Sequence, residues 1–166
     1  MGVLWITGLS GSGKTTLAKK IIEVDQINKW IHLDGDQLRQ ILSSGNLYDR
    51  NSRLILSRQY SKIANIISAQ NNNVIVSTIS LFKEIHDFNR SSISQYFEVY
   101  INCKIDLLQQ RDDKSLYGAT KTKNLMGLDL DYDLPANPDF LIEQDFDQTQ
   151  LEKWAKSILE HITWLN

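Results

Sequence analysis

Two groups of residues near the start of the chain have the types and spacing that phosphoryl chemistry needs. The first is Gly8-Leu9-Ser10-Gly11-Ser12-Gly13-Lys14-Thr15, which fits G-x-x-x-x-G-K-[ST]. Glycines at this spacing let successive backbone N–H groups turn inward around phosphate oxygens, and a helix starting at Lys14 would add the positive end of its dipole. Lys14 would then reach the β- and γ-phosphates, and the Thr15 hydroxyl would hold Mg²⁺, which points to nucleoside triphosphate binding. The second group is Asp34-Gly35-Asp36. Phosphoryl transfer to an alcohol needs a metal held and a hydroxyl positioned or deprotonated, and two carboxylates across one glycine can divide those tasks. We assign Asp34 to the Mg²⁺ sphere, through water, and Asp36 to the acceptor hydroxyl as base. An alternative for Asp36 is an N-cap of the helix that follows.

Cations for an anionic acceptor stand nearby. Arg39 lies three residues past Asp36 on the same helical face, and Arg53 and Arg58 begin a long helix. Arg50, just before that helix, reads as a solvated surface residue. A second cationic set, Arg111, Lys114, Lys121 and Lys123, falls in an irregular charged stretch over 112–133 that suits a lid closing over the transferring phosphates. His32, His86 and His161 are too scattered for a metal site, and Cys103 reads as core.

The elements that must position these groups alternate strand and helix. Val3–Thr7, Trp30–Leu33, Val74–Thr78, Tyr96–Asn102 and Phe140–Ile142 read as strands. Helices are expected over Lys14–Val24, Asp36–Ser43 with Leu38, Ile41 and Leu42 inward, Ser52–Gln70, Ile85–Ile93, from Ile105, and Leu151–Leu165. The order implies an α/β fold with a five-stranded parallel sheet and helices on both faces, in a single domain over 1–166. In such a sheet ligands collect beyond the carboxyl ends of the strands, where both motifs open. Hydrophobic residues make up 42% and charged residues 23%, as in ordinary globular proteins. A net charge of −2 gives no basic footprint for nucleic acid. No apolar run approaches the length of a membrane span, and no signal sequence precedes the first strand. With one cysteine there is no internal disulfide, so a reducing cytoplasm is the expected setting.

At this point the motifs resemble a family. Gly8 to Thr16 and Leu33-Asp34-Gly35-Asp36-x-x-Arg39 are similar to the G-L-S-G-x-G-K-[ST]-T and L-D-G-D-N-x-R of adenylylsulfate (APS) kinases. Ile79-Ser80, Arg111-Asp112-x-Lys114-x-Leu116-Tyr117 and Gly127-Leu128-Asp129-x-x-Tyr132-x-x-Pro135 echo further family motifs in family order. The resemblance implies a three-layer P-loop kinase fold and ATP- and Mg²⁺-dependent phosphorylation of the ribose 3′-hydroxyl of a nucleotide with a modified 5′-phosphate. It assigns ATP contacts to Gly11, Ser12, Gly13, Lys14, Thr15, Thr16 and Arg111. It assigns acceptor contacts to Asp36, Arg39, Tyr48, Arg53, Arg58, Ile79, Ser80, Lys114, Lys121 and Leu125. Dimers are familiar in the family, so a homodimer is compatible with it.

The departures sit on the acceptor side. Leu56 and Gln59 replace polar residues of the family's long-helix run, and Leu81 and Lys83 stand for a proline and an arginine. Tyr48 and Leu125 take the places of two phenylalanines that stack on the acceptor adenine, losing stacking of ~1 kcal/mol. A smaller base suits that clamp, which resembles the capsule-pathway branch acting on cytidine diphosphoramidate more than the APS enzymes. A rival class is a GTP-binding switch, but N-K-x-D and D-x-x-G are absent after Thr15. A non-catalytic nucleotide-binding module is countered by the joint presence of Lys14 and Asp36.

Overall fold

Runs of β-branched and aromatic residues form the strands of the computed structural model, which describes residues 1–43, 49–110, 131–143 and 148–165. In chain order the elements are β1 (Val3–Gly8), α1 (Lys14–Val24), β2 (Trp30–Asp34), α2 (Gly35–Leu42), α3 (Arg50–Ser68), β3 (Asn73–Thr78), α4 (Lys83–Ser92), β4 (Tyr96–Ile101), α5 (Ile105–Gln110), β5 (Phe140–Ile142) and α6 (Gln148–His161). The strands pair in the order β2-β3-β1-β4-β5, all parallel. Every residue of β1 and of β3 is buried, as inner strands of a parallel sheet covered on both faces require. The edge strand β2 is only half-buried.

Helices α1 and α6 pack together on one face, and α3 and α4 pack together on the other. Leu17 and Ile21 of α1 and Leu151, Ala155 and Ile158 of α6 are fully or nearly fully buried. Each large aliphatic side chain removed from water there contributes ~1.5–3 kcal/mol. The chain leaves β1 toward α1 and leaves β3 toward α4, so the two exits run to opposite faces. Where neighbouring strands part in this way, an α/β sheet offers a ligand crevice at its carboxyl edge.

Three expectations need correction. The Asp49 carboxylate caps α3 by accepting the Ser52 N–H at 3.0 Å, so the helix starts at Arg50 rather than Ser52. It ends at Ser68 because Asn71 takes a left-handed φ of 60° while the Asn72 amide donates to the Ile67 carbonyl. Helix α2 does not turn Ile41 and Leu42 inward: they are 77% and 37% exposed, and only Leu38 packs partly against the core. The helix meets the end of β3 closely at its first residue, Gly35, and leaves Ile41 and Leu42 uncovered in its last turn. The final helix stops at His161, and Thr163–Leu165 form a separate 3₁₀ turn.

A buried charged cluster lies under α4, away from the crevice. Glu98 of β4 is 1% exposed and accepts from His86 Nδ1 at 2.6 Å, Tyr96 Oη at 2.9 Å and Arg90 at 3.2 Å. Burial pushes its carboxyl up, but these donors more than offset that and hold it below the usual glutamate value.

Candidate active site

The phosphate-cradle motif spans the exit from β1 and the start of α1. Gly13 is the N-cap of α1 at φ 91° and ψ 12°, a left-handed conformation that glycine adopts without the strain a Cβ would add. No side chain caps this helix. Ser12 is fully buried beneath the loop, Gly11 and Thr16 are exposed, and the Lys14 ammonium donates to the Leu9 carbonyl at 2.7 Å. A cleft of about 340 Å³ opens beside Thr16, bounded by Lys19, Lys20, Glu23 and Leu151.

Asp34 ends β2 and links the two motifs. Its Oδ2 accepts from the Thr15 hydroxyl at 2.8 Å and from the Ser77 hydroxyl at 3.1 Å. Its Oδ1 accepts the N–H groups of Asp36 at 3.0 Å and Gln37 at 3.3 Å, so Asp34, not Asp36, caps α2. Burial raises the Asp34 carboxyl, but the four donors outweigh it and hold the group below the ordinary aspartate value. Ser77 in turn meets His32 Nε2 at 2.9 Å. A hydroxyl beside an ionised carboxylate is a hard-oxygen donor pair, which fits Mg²⁺. Among the described residues no cluster of three His, Cys, Asp or Glu forms a metal site of another kind.

Gly35 explains the spacing of the acidic pair. A Cβ there would lie 2.8 Å from Thr78 Oγ1 and 2.9 Å from Thr78 Cβ, so only glycine lets α2 start against the end of β3. Asp36 then stands exposed in the first turn of α2, not at its cap.

Arg39 and Arg53 join Asp36 around a residue the sequence reading missed. Tyr60 of α3 is 1% exposed, and its hydroxyl points to the Gly35 carbonyl at 3.4 Å. Burial raises the Tyr60 phenol, the charges of Arg39 and Arg53 lower it, and that of Asp36 raises it, so all three lie within electrostatic reach. Seven residues after Arg53 on the same helix, Tyr60 shares the Arg53 face, a signal that helical counting could have supplied. Arg53 is 7% exposed.

Arg58 is not brought to this group. It is exposed and its guanidinium lies 5.1 Å from the Phe88 ring centroid, because five residues past Arg53 it falls on a different face of α3 from Arg53 and Tyr60. Ile79 and Ser80 follow β3, between the phosphate loop and the acidic pair, and Ser80 is buried. Arg50 is not simply solvated: it pairs with Glu84 at 3.2 Å and lies 3.6 Å from Asp133. Tyr48, Arg111, Lys114, Lys121, Lys123 and Leu125 lie outside the described residues, as does the 112–133 stretch except for its last three positions.

Comparison with known proteins places this arrangement. The adenylylsulphate kinase family model matches residues 1–143. A cytidine diphosphoramidate kinase from Campylobacter jejuni is 41% identical over 138 residues, covering 80% of this chain and 81% of that protein. A probable adenylyl-sulfate kinase from Bacillus subtilis is 33% identical over 165 residues, covering 95% and 81%. A Mycobacterium tuberculosis APS kinase solved in complex with AMPPNP and APS superposes with a TM-score of 0.83 at 27% identity, covering 96% of each chain. The family uses ATP as its phosphate donor. The cradle at the end of β1, the carboxylate joined to it from β2 and the match over most of the chain lead to one conclusion: the chain belongs to the adenylylsulphate kinase family and is an ATP-dependent phosphotransferase.

Proposed function

We propose that the chain phosphorylates the ribose 3′-hydroxyl of cytidine diphosphoramidate, a step of capsular polysaccharide biosynthesis. The observation that supports the transfer chemistry best is the contact between Thr15 Oγ1 and Asp34 Oδ2 at 2.8 Å, which unites the phosphate loop with the acidic pair. The loop residues Gly11 to Thr16 cradle the phosphates, and Lys14 neutralises the β- and γ-phosphates. Thr15 and Asp34 would hold Mg²⁺, which supplies charge neutralisation at the transferring phosphate. Asp36 accepts the proton of the attacking hydroxyl, the new O–P bond forms as the bond to ADP breaks, and Arg39 and Arg53 hold the acceptor's anionic groups.

The choice of acceptor rests on the 41% identity to the Campylobacter jejuni enzyme and on Tyr48 and Leu125 in place of an aromatic pair. A second reading, an adenylyl-sulfate kinase, is favoured by the Bacillus subtilis relative, which matches over more of the chain. ADP release with ATP and Mg²⁺ against APS, CDP and cytidine diphosphoramidate separates the two. Preference for cytidine diphosphoramidate is expected, and strong preference for APS would refute the acceptor argument. Among the described residues no helix is long and apolar enough to cross a membrane.

A further inference from the structure

Where β3 ends, residues 79–82 form a turn wedged between the two halves of the site. On one side the Thr7 hydroxyl, from the residue before the phosphate loop, donates to the Ile79 carbonyl. On the other, Thr78 packs against Gly35 between the two acidic residues. The turn holds a conformation that its own backbone disfavours, since Ser80 has φ of 25°. Its geometry is therefore imposed by its contacts.

Apart from Thr78, those contacts come from distant parts of the chain. The Ser80 hydroxyl is buried with those of Ser57 at 2.7 Å and Thr78 at 2.9 Å. The Leu81 carbonyl accepts the Asp133 N–H at 3.0 Å. Helix α4 then begins at Lys83 without a side-chain bond from its own N-cap, Phe82. The Asp133 carboxylate takes the place of that cap, accepting the Lys83 N–H at 3.1 Å. Arg50 completes the junction from the first turn of α3, 3.6 Å from Asp133, 3.2 Å from Glu84 and 5.3 Å from the Phe82 ring centroid.

We propose that Asp133 is a positioning residue for the phosphate acceptor: by capping α4 in trans and holding Leu81, it fixes the turn that presents Ile79 and Ser80. The inference rests on the reading that these two residues face the acceptor. It assigns Asp133 no contact with ATP and no proton transfer. Its removal should therefore loosen acceptor binding alone.

Steady-state kinetics on Asp133→Ala, Asp133→Asn and Arg50→Ala tests this, with amide hydrogen exchange at Lys83 as a readout independent of turnover. Wild-type enzyme is first offered both cytidine diphosphoramidate and APS, and the variants are measured with whichever it uses. A wrong acceptor thus overturns the acceptor reading and leaves this test intact. Loss of a helix cap corresponds to roughly a tenfold change, so Asp133→Ala should raise the acceptor KM about tenfold, with the ATP KM within about twofold of wild type. Lys83 exchange should quicken. Asp133→Asn, whose amide oxygen can still accept the Lys83 N–H, should restore the acceptor KM to within about threefold. Should Asp133→Ala fail to fold, Arg50→Ala carries the test, with an expected acceptor-only rise of about threefold. An unchanged acceptor KM, an equal rise in the ATP KM, or no rescue by asparagine overturns the proposal.

Discussion

Replacing Asp34 with asparagine separates the charge of this carboxylate from its shape. Asparagine caps helices as well as aspartate, so the bonds from the Asp36 and Gln37 N–H groups should survive. What changes is the acceptor strength toward Thr15 and Ser77. Hydrogen bonds to a charged group contribute ~1.5–3 kcal/mol against ~0.5–1.5 for neutral pairs, so two bonds lose about 2 kcal/mol. Solvent screening of a half-buried carboxylate trims that to about 1–2 kcal/mol. For a chain of this length that lowers Tm by about 2–8 °C. Asp34→Ala removes the cap as well, adding about 1 kcal/mol. The folded carboxyl titrates below its ordinary value of 3.8, so its contribution is full above that pH and disappears as the pH falls through the folded pKa. The melting difference between wild type and Asp34→Asn should be flat from neutral pH to about 5 and should close on further acidification. If the carboxylate also orders Mg²⁺, the midpoint of an Mg²⁺ titration of ADP release should rise about 10–100-fold. A variant with the wild-type Mg²⁺ midpoint and turnover would refute the metal assignment. Asp34→Asn melting as low as Asp34→Ala would refute the separation of cap from charge.

Asp36→Asn should cut turnover by about 10²–10⁴ while a fluorescent ATP analogue still binds within about twofold, since the residue is assigned to the acceptor proton and not to the donor. Gly35→Ala drives a methyl group against Thr78, so it should cost about 1–3 kcal/mol by denaturant melting and lower turnover by displacing the acidic pair. Glu98→Ala strips the buried partner from His86 and Arg90. Chemical denaturation should show a loss of about 3 kcal/mol with the KM for ATP unchanged. Because the Glu98 carboxyl is held below 4.5, wild type should lose this stabilisation only as the pH falls beneath that value, and Glu98→Gln should flatten the acid limb of the stability curve.

What was legible in the sequence was local. The spacing from Gly8 to Thr15 fixes a loop, and Asp34-Gly35-Asp36 fixes a strand end and a helix start, because each depends on neighbours a few residues apart. Ile41 and Leu42 misled, since helical periodicity marks an apolar face without showing whether another element covers it. Arg58 had the right charge on the right helix, yet five residues past Arg53 it falls on another face of α3, against Phe88. Asp133 meets Lys83 across fifty residues of chain, and no pattern in either neighbourhood announces the pairing. Tyr60 lay between these cases: its face was countable, but its target, the Gly35 carbonyl, was not.

The strand order also governs when this protein can first hold a ligand during its synthesis. Val3 pairs with Val74 on one side and Tyr96 on the other, and Gly8, where the phosphate loop begins, is flanked by Ile101. The loop is thus made before either of the strands that brace it. Pairings this distant along the chain also slow folding. A nascent chain stalled before Ile101 carries every residue of the glycine-rich motif and should retain no nucleotide on an ATP-agarose column.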